Sequence, residues 1–161
     1  MRGIHRISPP CLIEGIVEHG FGRGSKLLGF ATANLNTNTS ASLSDFLSSE
    51  KCVDGVYVGW VSVRSIASPQ KAAISVGLNP TFEDSRVRLL EAHLIDYSGP
   101  DFYGENIRIV LCAYIREALK FECVEDLKTE IWEDCEFARQ ILEKDLDFAS
   151  HRNHPFLEFD S

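Results

Sequence analysis

The hydrophobic period of this chain changes once, near Val124, and that change limits its fold more than any single motif does. Ahead of it the apolar residues tend to alternate, which is the pattern of strands. Behind it they recur at three and four residues, the pattern of a helix. Gly55–Ile66 is the clearest strand, with Val56, Val58, Trp60 and Ser62 on one face and Tyr57, Gly59, Val61 and Val63 on the other. Cys11–His19, Lys71–Leu78, Val87–Tyr97 and Asn106–Arg116 read as further strands. They are separated by breakers such as Ala67-Ser68-Pro69, Asn79-Pro80-Thr81-Phe82 and Ser98-Gly99-Pro100-Asp101. Asn36–Ser49 is rich in Ser, Thr and Asn, with a short helical stretch around Leu43–Leu47. After the change, Val124, Leu127, Ile131, Cys135, Ala138 and Leu142 form one stripe of an amphipathic helix that ends near Leu146, and the stripe is expected to face the core. About five antiparallel strands followed by one helix predict a mainly β protein, a closed or nearly closed barrel with the helix packed on it.

Composition narrows the function classes. At 161 residues the chain fits one domain with a single core. A formal net charge of -8 argues against a surface that coats nucleic acid, so only local basic clusters are expected to hold phosphates. There is no apolar run near the ~18 residues of a membrane span, and Met1–Pro10 lacks the apolar centre of a signal peptide. A cytoplasmic monomer without membrane or nucleic-acid partners is the expectation. Cys11, Cys52, Cys112, Cys123 and Cys135 are odd in number and widely spaced, which suits buried thiols in a reducing compartment. His151 and His154, near a Pro in a polar tail, have too few neighbouring ligands for a metal. The tail 148–161 is expected to pack loosely or fray.

The run Gly20-Phe21-Gly22-Arg23-Gly24-Ser25-Lys26-Leu27-Leu28-Gly29-Phe30-Ala31-Thr32-Ala33-Asn34 is the main chemical candidate. Glycines let a backbone approach a ligand closely, and N–H groups with Arg23 and Lys26 suit a polyanion. Thr32 and Asn34 add the hard oxygen donors that Mg²⁺ prefers. A mobile surface turn is the plainer reading. The register of a P-loop fails, because Lys26 follows Ser25 and precedes Leu27, and no dinucleotide fingerprint is present. Glu91 shares a strand face with Leu89, His93 and Ile95, while Leu90, Ala92 and Leu94 take the other. If the Glu91 face meets the core, burial raises its pKa and prepares a general base; if it meets water, Glu91 is an ordinary surface carboxylate. His93 is open to the same pair of readings. Arg116 ends an apolar strand with Phe121 five residues on, a pair that suits a planar polar ligand or plain helix packing.

The order of these pieces resembles the riboflavin kinase (flavokinase) family, closest to its stand-alone eukaryotic type. The similarity runs from about Leu12 to Leu146 and rests on six motifs in register. They are Gly15-x-Val17-x-x-Gly20 through Leu35, Gly55-Val56-Tyr57-x-Gly59-Trp60, Ser75-Val76-Gly77-x-Asn79-Pro80, Glu91-x-His93-Leu94, Asp101-Phe102-Tyr103-Gly104 and Tyr114-Ile115-Arg116. The resemblance implies a six-stranded antiparallel Greek-key barrel with a C-terminal helix. It also implies an ATP:riboflavin 5′-phosphotransferase that yields FMN and ADP. By the same resemblance Glu91 is the catalytic base, and Thr32 and Asn34 hold Mg²⁺, with Zn²⁺ or Mn²⁺ as alternative metals. Gly20, Arg23, Lys26, Thr32, Leu94, Asp96 and Tyr103 fall at the nucleotide site, and Arg116, Leu119 and Phe121 at the flavin. Such chemistry needs mostly positioning and charge neutralisation.

Three positions depart from the family pattern. Ala31 replaces a proline, which loosens the loop by ~0.4–1 kcal/mol through added unfolded-state freedom. Leu119 stands where relatives often carry a polar residue, so a flavin contact there is expected from its backbone. Cys123 replaces a better N-cap residue, weakening the helix start. The rival readings are a non-catalytic flavin- or nucleotide-binding barrel, an interaction-only barrel, and a bifunctional enzyme that also adenylylates FMN. The last is disfavoured by the roughly ten residues ahead of the barrel, too few for a second domain.

Overall fold

The computed structural model describes residues 2–18, 31–35, 40–50, 52–78 and 88–159. Six antiparallel strands form one sheet: β1 (His5–Ile16), β2 (Ala31–Leu35), β3 (Gly55–Val63), β4 (Gln70–Leu78), β5 (Arg88–Leu94) and β6 (Asn106–Glu117), in the spatial order β1-β6-β3-β4-β5-β2. Just past β1, Glu18 bridges Asn34 of β2, its N–H donating to the Asn34 carbonyl at 2.8 Å, so the first and last strands of that order meet and close the barrel. This is the fold class expected. The residue pattern yields about five strands; the sixth is β2, only five residues of Ala, Thr, Asn and Leu, too short to show a period.

Alternation explains the two cores. Ile13, Ala33, Tyr57, Val61, Ile74, Leu90, Leu94 and Ile109 point into the barrel, and α1 (Ala41–Ser48) plugs one end with Leu43, Phe46 and Leu47. The outward residues Val56, Val58, Trp60, Ala73, Val110 and Ile115 meet Cys135, Ala138, Ile141 and Leu142 of α2 (Val124–Lys144). Because α2 covers β3 from outside, β3 is buried along its whole length, and its two faces divide as the sequence pattern predicts. At Gly59 a Cβ would sit 2.2 Å from the Val110 carbonyl, so only glycine allows β6 to approach this closely.

Several boundaries and one face differ from expectation. β1 begins at His5, six residues before the predicted Cys11, and joins β6 through an irregular register between Arg6 and Cys11. β5 stops at Leu94, although Ile95 still donates its N–H to the Lys71 carbonyl. Val124 and Leu127 are 56% and 37% exposed, not core-facing, because the cluster packed against the sheet draws on α2 only from Ile131 onward. Cys123 makes no side-chain cap bond, as its chemistry implies.

The described tail, through residue 159, is packed on the barrel and not loose. Asp145 breaks α2 and accepts the Phe148 N–H to start α3 (Leu146–Ser150). Phe148 is fully buried, its carbonyl accepts the Trp60 indole N–H at 2.8 Å, and Leu157 is buried beside it. Arg108 donates to the carbonyls of Phe156 and Glu158. The tail holds because its aromatic and aliphatic residues complete the outer core. The five thiols are all free; Cys112 and Cys135 are buried, Cys11 and Cys52 partly so, and Cys123 is exposed.

Candidate functional site

β5 settles which way Glu91 points. Leu90, Ala92 and Leu94 are fully buried inside the barrel, so Glu91 and His93 lie on its outer wall. That wall is far from open to water. His93 is 4% exposed, and burial alone pushes the Glu91 carboxyl above its ordinary range. Burial likewise lowers the His93 imidazole to about 4, opposed only by the field of Asp134, so the ring is neutral at physiological pH.

Strand register then assembles the group. In the β2–β5 ladder Thr32 stands opposite His93 and Asn34 opposite Glu91. In the β4–β5 ladder Ser75 stands on the other side of Glu91. Side chains two apart on a strand share a face, so Thr32, Asn34, Ser75, Glu91 and His93 form one polar patch on the barrel wall. The Thr32 Oγ1 and His93 Nδ1 lie 3.1 Å apart, within hydrogen-bond distance. Asn34 is held from both sides, by β5 and by the Glu18 bridge. Among the described residues no group of three or more His, Cys, Asp or Glu could hold a metal. A cation here would therefore rest on the neutral oxygens of Thr32 and Asn34 and on its ligand's own phosphates, an arrangement that suits Mg²⁺ better than a nitrogen- and sulfur-loving zinc.

A second group lies around the C-terminal end of β6. A cavity of about 380 Å³ is lined by Arg2, His5, Tyr114, Arg116, Glu117 and Leu119, among others. Arg116 is 9% exposed and meets Asp134 of α2 with two 2.8 Å bonds, from Nε and Nη2, while its Nη1 donates to the Glu117 carbonyl. Three of its five N–H donors are thus taken. Asp134 also accepts the Arg2 Nε at 2.8 Å, and Arg2 reaches Glu130 and Glu133 as well. Leu119 is 47% exposed at the same cavity, whereas Phe121 is partly buried and does not line it.

Of the other expected site residues, Leu94, Asp96 and Tyr103 are described. The Leu94 side chain is sealed inside the barrel, which leaves only its backbone for a ligand. Asp96 is exposed and pairs with Arg139 at 2.9 Å. Tyr103 is 38% exposed next to the buried Phe102. Gly20, Arg23 and Lys26, and the turn at Asn79-Pro80-Thr81, lie outside the described residues. Two residues that sequence reading gave no role stand out. Asp134 sits three residues after Ile131 and four before Ala138, so helical spacing places it on the buried face and could have singled it out. Ser75 became visible only through register.

The riboflavin kinase (flavokinase) family model matches residues 7–142. A riboflavin kinase from Homo sapiens is 35% identical over 83% of this chain and 82% of its own length. A bifunctional riboflavin kinase/FMN phosphatase from Arabidopsis thaliana is 38% identical over 92% of this chain, which spans only 37% of that longer protein. The crystal structure of riboflavin kinase from Trypanosoma brucei superposes with a TM-score of 0.71 over 99% of this chain and 94% of its own, at 23% identity. That likeness is one of fold.

Proposed function

The chain belongs to the riboflavin kinase family, its function is phosphorylation of riboflavin by ATP, and we propose that Glu91 is the base of that reaction on a site shared with Thr32 and Asn34. The observation that carries this reading is the register that sets Asn34 opposite Glu91, with Thr32 two residues away on the same face. A carboxylate whose pKa burial has raised is a better acceptor for the proton of an alcohol than an ordinary one. Glu91 accepts the proton of the riboflavin 5′-hydroxyl as that oxygen attacks the γ-phosphorus, and ADP leaves with the electron pair of the cleaved bond. Thr32 and Asn34 would hold Mg²⁺, which supplies charge neutralisation for the transferring phosphoryl group. Arg23, Lys26 and the backbone of Gly20 are assigned to the nucleotide phosphates, and Asp96, Tyr103 and the Leu94 backbone to the rest of the nucleotide. The cavity beside Arg116 and Leu119 is assigned to the flavin, with Phe121 close by. Arg116 would serve it chiefly as a fixed wall, because Asp134 already holds its guanidinium.

The test is chromatographic detection of FMN after incubation with riboflavin, ATP and Mg²⁺, with a chelator control and Glu91→Gln alongside. FMN formed only with metal, and reduced by ~10²–10⁴-fold in the variant, is the expected result. Saturable riboflavin binding without any FMN would instead make the chain a non-catalytic flavin-binding barrel.

A further inference from the structure

His93 is buried on the barrel wall, two residues from Glu91 on the same face, and the reaction as described gives it nothing to do. Its polar neighbour is informative. The Nδ1 atom lies 3.1 Å from the hydroxyl oxygen of Thr32, directly across the β2–β5 ladder. A threonine hydroxyl carries one proton and two lone pairs, and its hydrogen is free to rotate unless something accepts it. A hydroxyl that ligates a cation must turn its lone pairs outward and its proton away. A bare Nδ1 at hydrogen-bond distance does that.

We infer that His93 is a positioning residue: its Nε2-protonated tautomer accepts the Thr32 O–H at Nδ1 and so presents the Thr32 oxygen, lone pairs outward, to the cation of the Mg-nucleotide. The opposite tautomer would donate to Thr32, take up one of its two lone pairs and leave its proton with no acceptor on that side, free to turn toward the cation. Two features support the assignment. His93 sits on a strand paired on both sides, so the backbone that carries its ring toward Thr32 is fixed. Its burial places the contact with Thr32 in a low-dielectric setting, where a hydrogen bond is electrostatically stronger. This proposal rests on the assignment of Thr32 to the metal, and its experiment separates the two.

The measurement is binding of Mn²⁺ with ADP, read by the electron paramagnetic resonance of free Mn²⁺, with riboflavin affinity followed by flavin fluorescence. An Asn side chain places its polar atoms where Nδ1 stands, while a Gln places them nearer Nε2. His93→Asn is therefore expected to keep Mn²⁺–ADP affinity within about twofold. His93→Gln and His93→Leu are expected to weaken it by about 3- to 10-fold, the worth of one neutral hydrogen bond, with riboflavin affinity unchanged. Thr32→Val should cause a similar loss, and adding His93→Gln to it should cost nothing more. Affinity retained in folded His93→Gln while Thr32→Val is impaired overturns the positioning role and leaves the Thr32 assignment standing. Equal losses in His93→Asn and His93→Gln also overturn it. No loss in Thr32→Val overturns the metal assignment itself, and this inference with it.

Discussion

At the scale of single residues, Glu91 trades stability for reactivity. Burial raises its pKa, so between the ordinary carboxylate value and the raised one the native protein holds a proton that the unfolded chain has lost. In that window stability falls as pH rises, and above it the buried charge is a standing cost. Glu91→Gln is therefore expected to melt at a higher temperature than the parent at neutral pH while losing activity. Equal or lower melting would show that the carboxylate is paid for by partners within the fold. His93 works in the other direction. It stays neutral down to about 4, whereas the unfolded chain takes up its proton below an ordinary value of 6.5. Its contribution to stability is complete above that value and is lost as pH falls toward 4, and His93→Asn should flatten that part of a pH–melting curve. The alternation around Glu91 was legible in the sequence, but which face was dry was not, because the answer depends on β2 and β4, which are brought in from elsewhere in the chain.

At the scale of elements, α2 shows how a surface-looking stretch becomes a structural joint. Asp134 lies among acidic residues of α2, next to Glu133, yet it is 2% exposed. Its partners come from 132 and 18 residues away, Arg2 and Arg116, and no local pattern announces either. Removing one partner of a buried, hydrogen-bonded pair strands a charge, so Asp134→Ala should cost about 3–5 kcal/mol in urea unfolding. Asp134→Asn should cost less but still loosen Arg116, seen as weaker riboflavin binding. The helix's opening turns teach the converse. Val124 and Leu127 keep the spacing of the core stripe, but the buried part of α2 starts further on, and they stay exposed. Periodicity reports which face is apolar; it cannot report how far the partner surface extends.

At the scale of the molecule, the described chain is a barrel with a core on each side of its wall, and the tail belongs to the outer one. Phe148 has no period to betray it, since α3 is five residues long and the turns after it are single 3₁₀ turns. Burial of its ring and the bond from Trp60 to its carbonyl make it a core residue nonetheless. Phe148→Ala is expected to destabilise by about 3–5 kcal/mol, and ending the chain before it should do at least as much damage, both measured by denaturant midpoint. Unchanged stability after either would mean that α2 alone seals the outer core. The barrel class and its closing helix were readable from the change of period. The seam between β1 and β2 was not, because among the described residues it is made by a single bridge.

That seam sets a clock. β2 is paired along its full length to β5, but on its other edge the described residues reach it only at Glu18. A strand of 5 residues has fewer ladder bonds to break than the 9 of β3 or the 12 of β6, and so opens locally at a lower free energy. Backbone amides of β2 should therefore swap hydrogen for deuterium earlier than those of β3 and β6. If the cation and nucleotide sit on Thr32 and Asn34, their arrival should slow that exchange, so isotope uptake in these five residues would register occupancy of the site without any turnover.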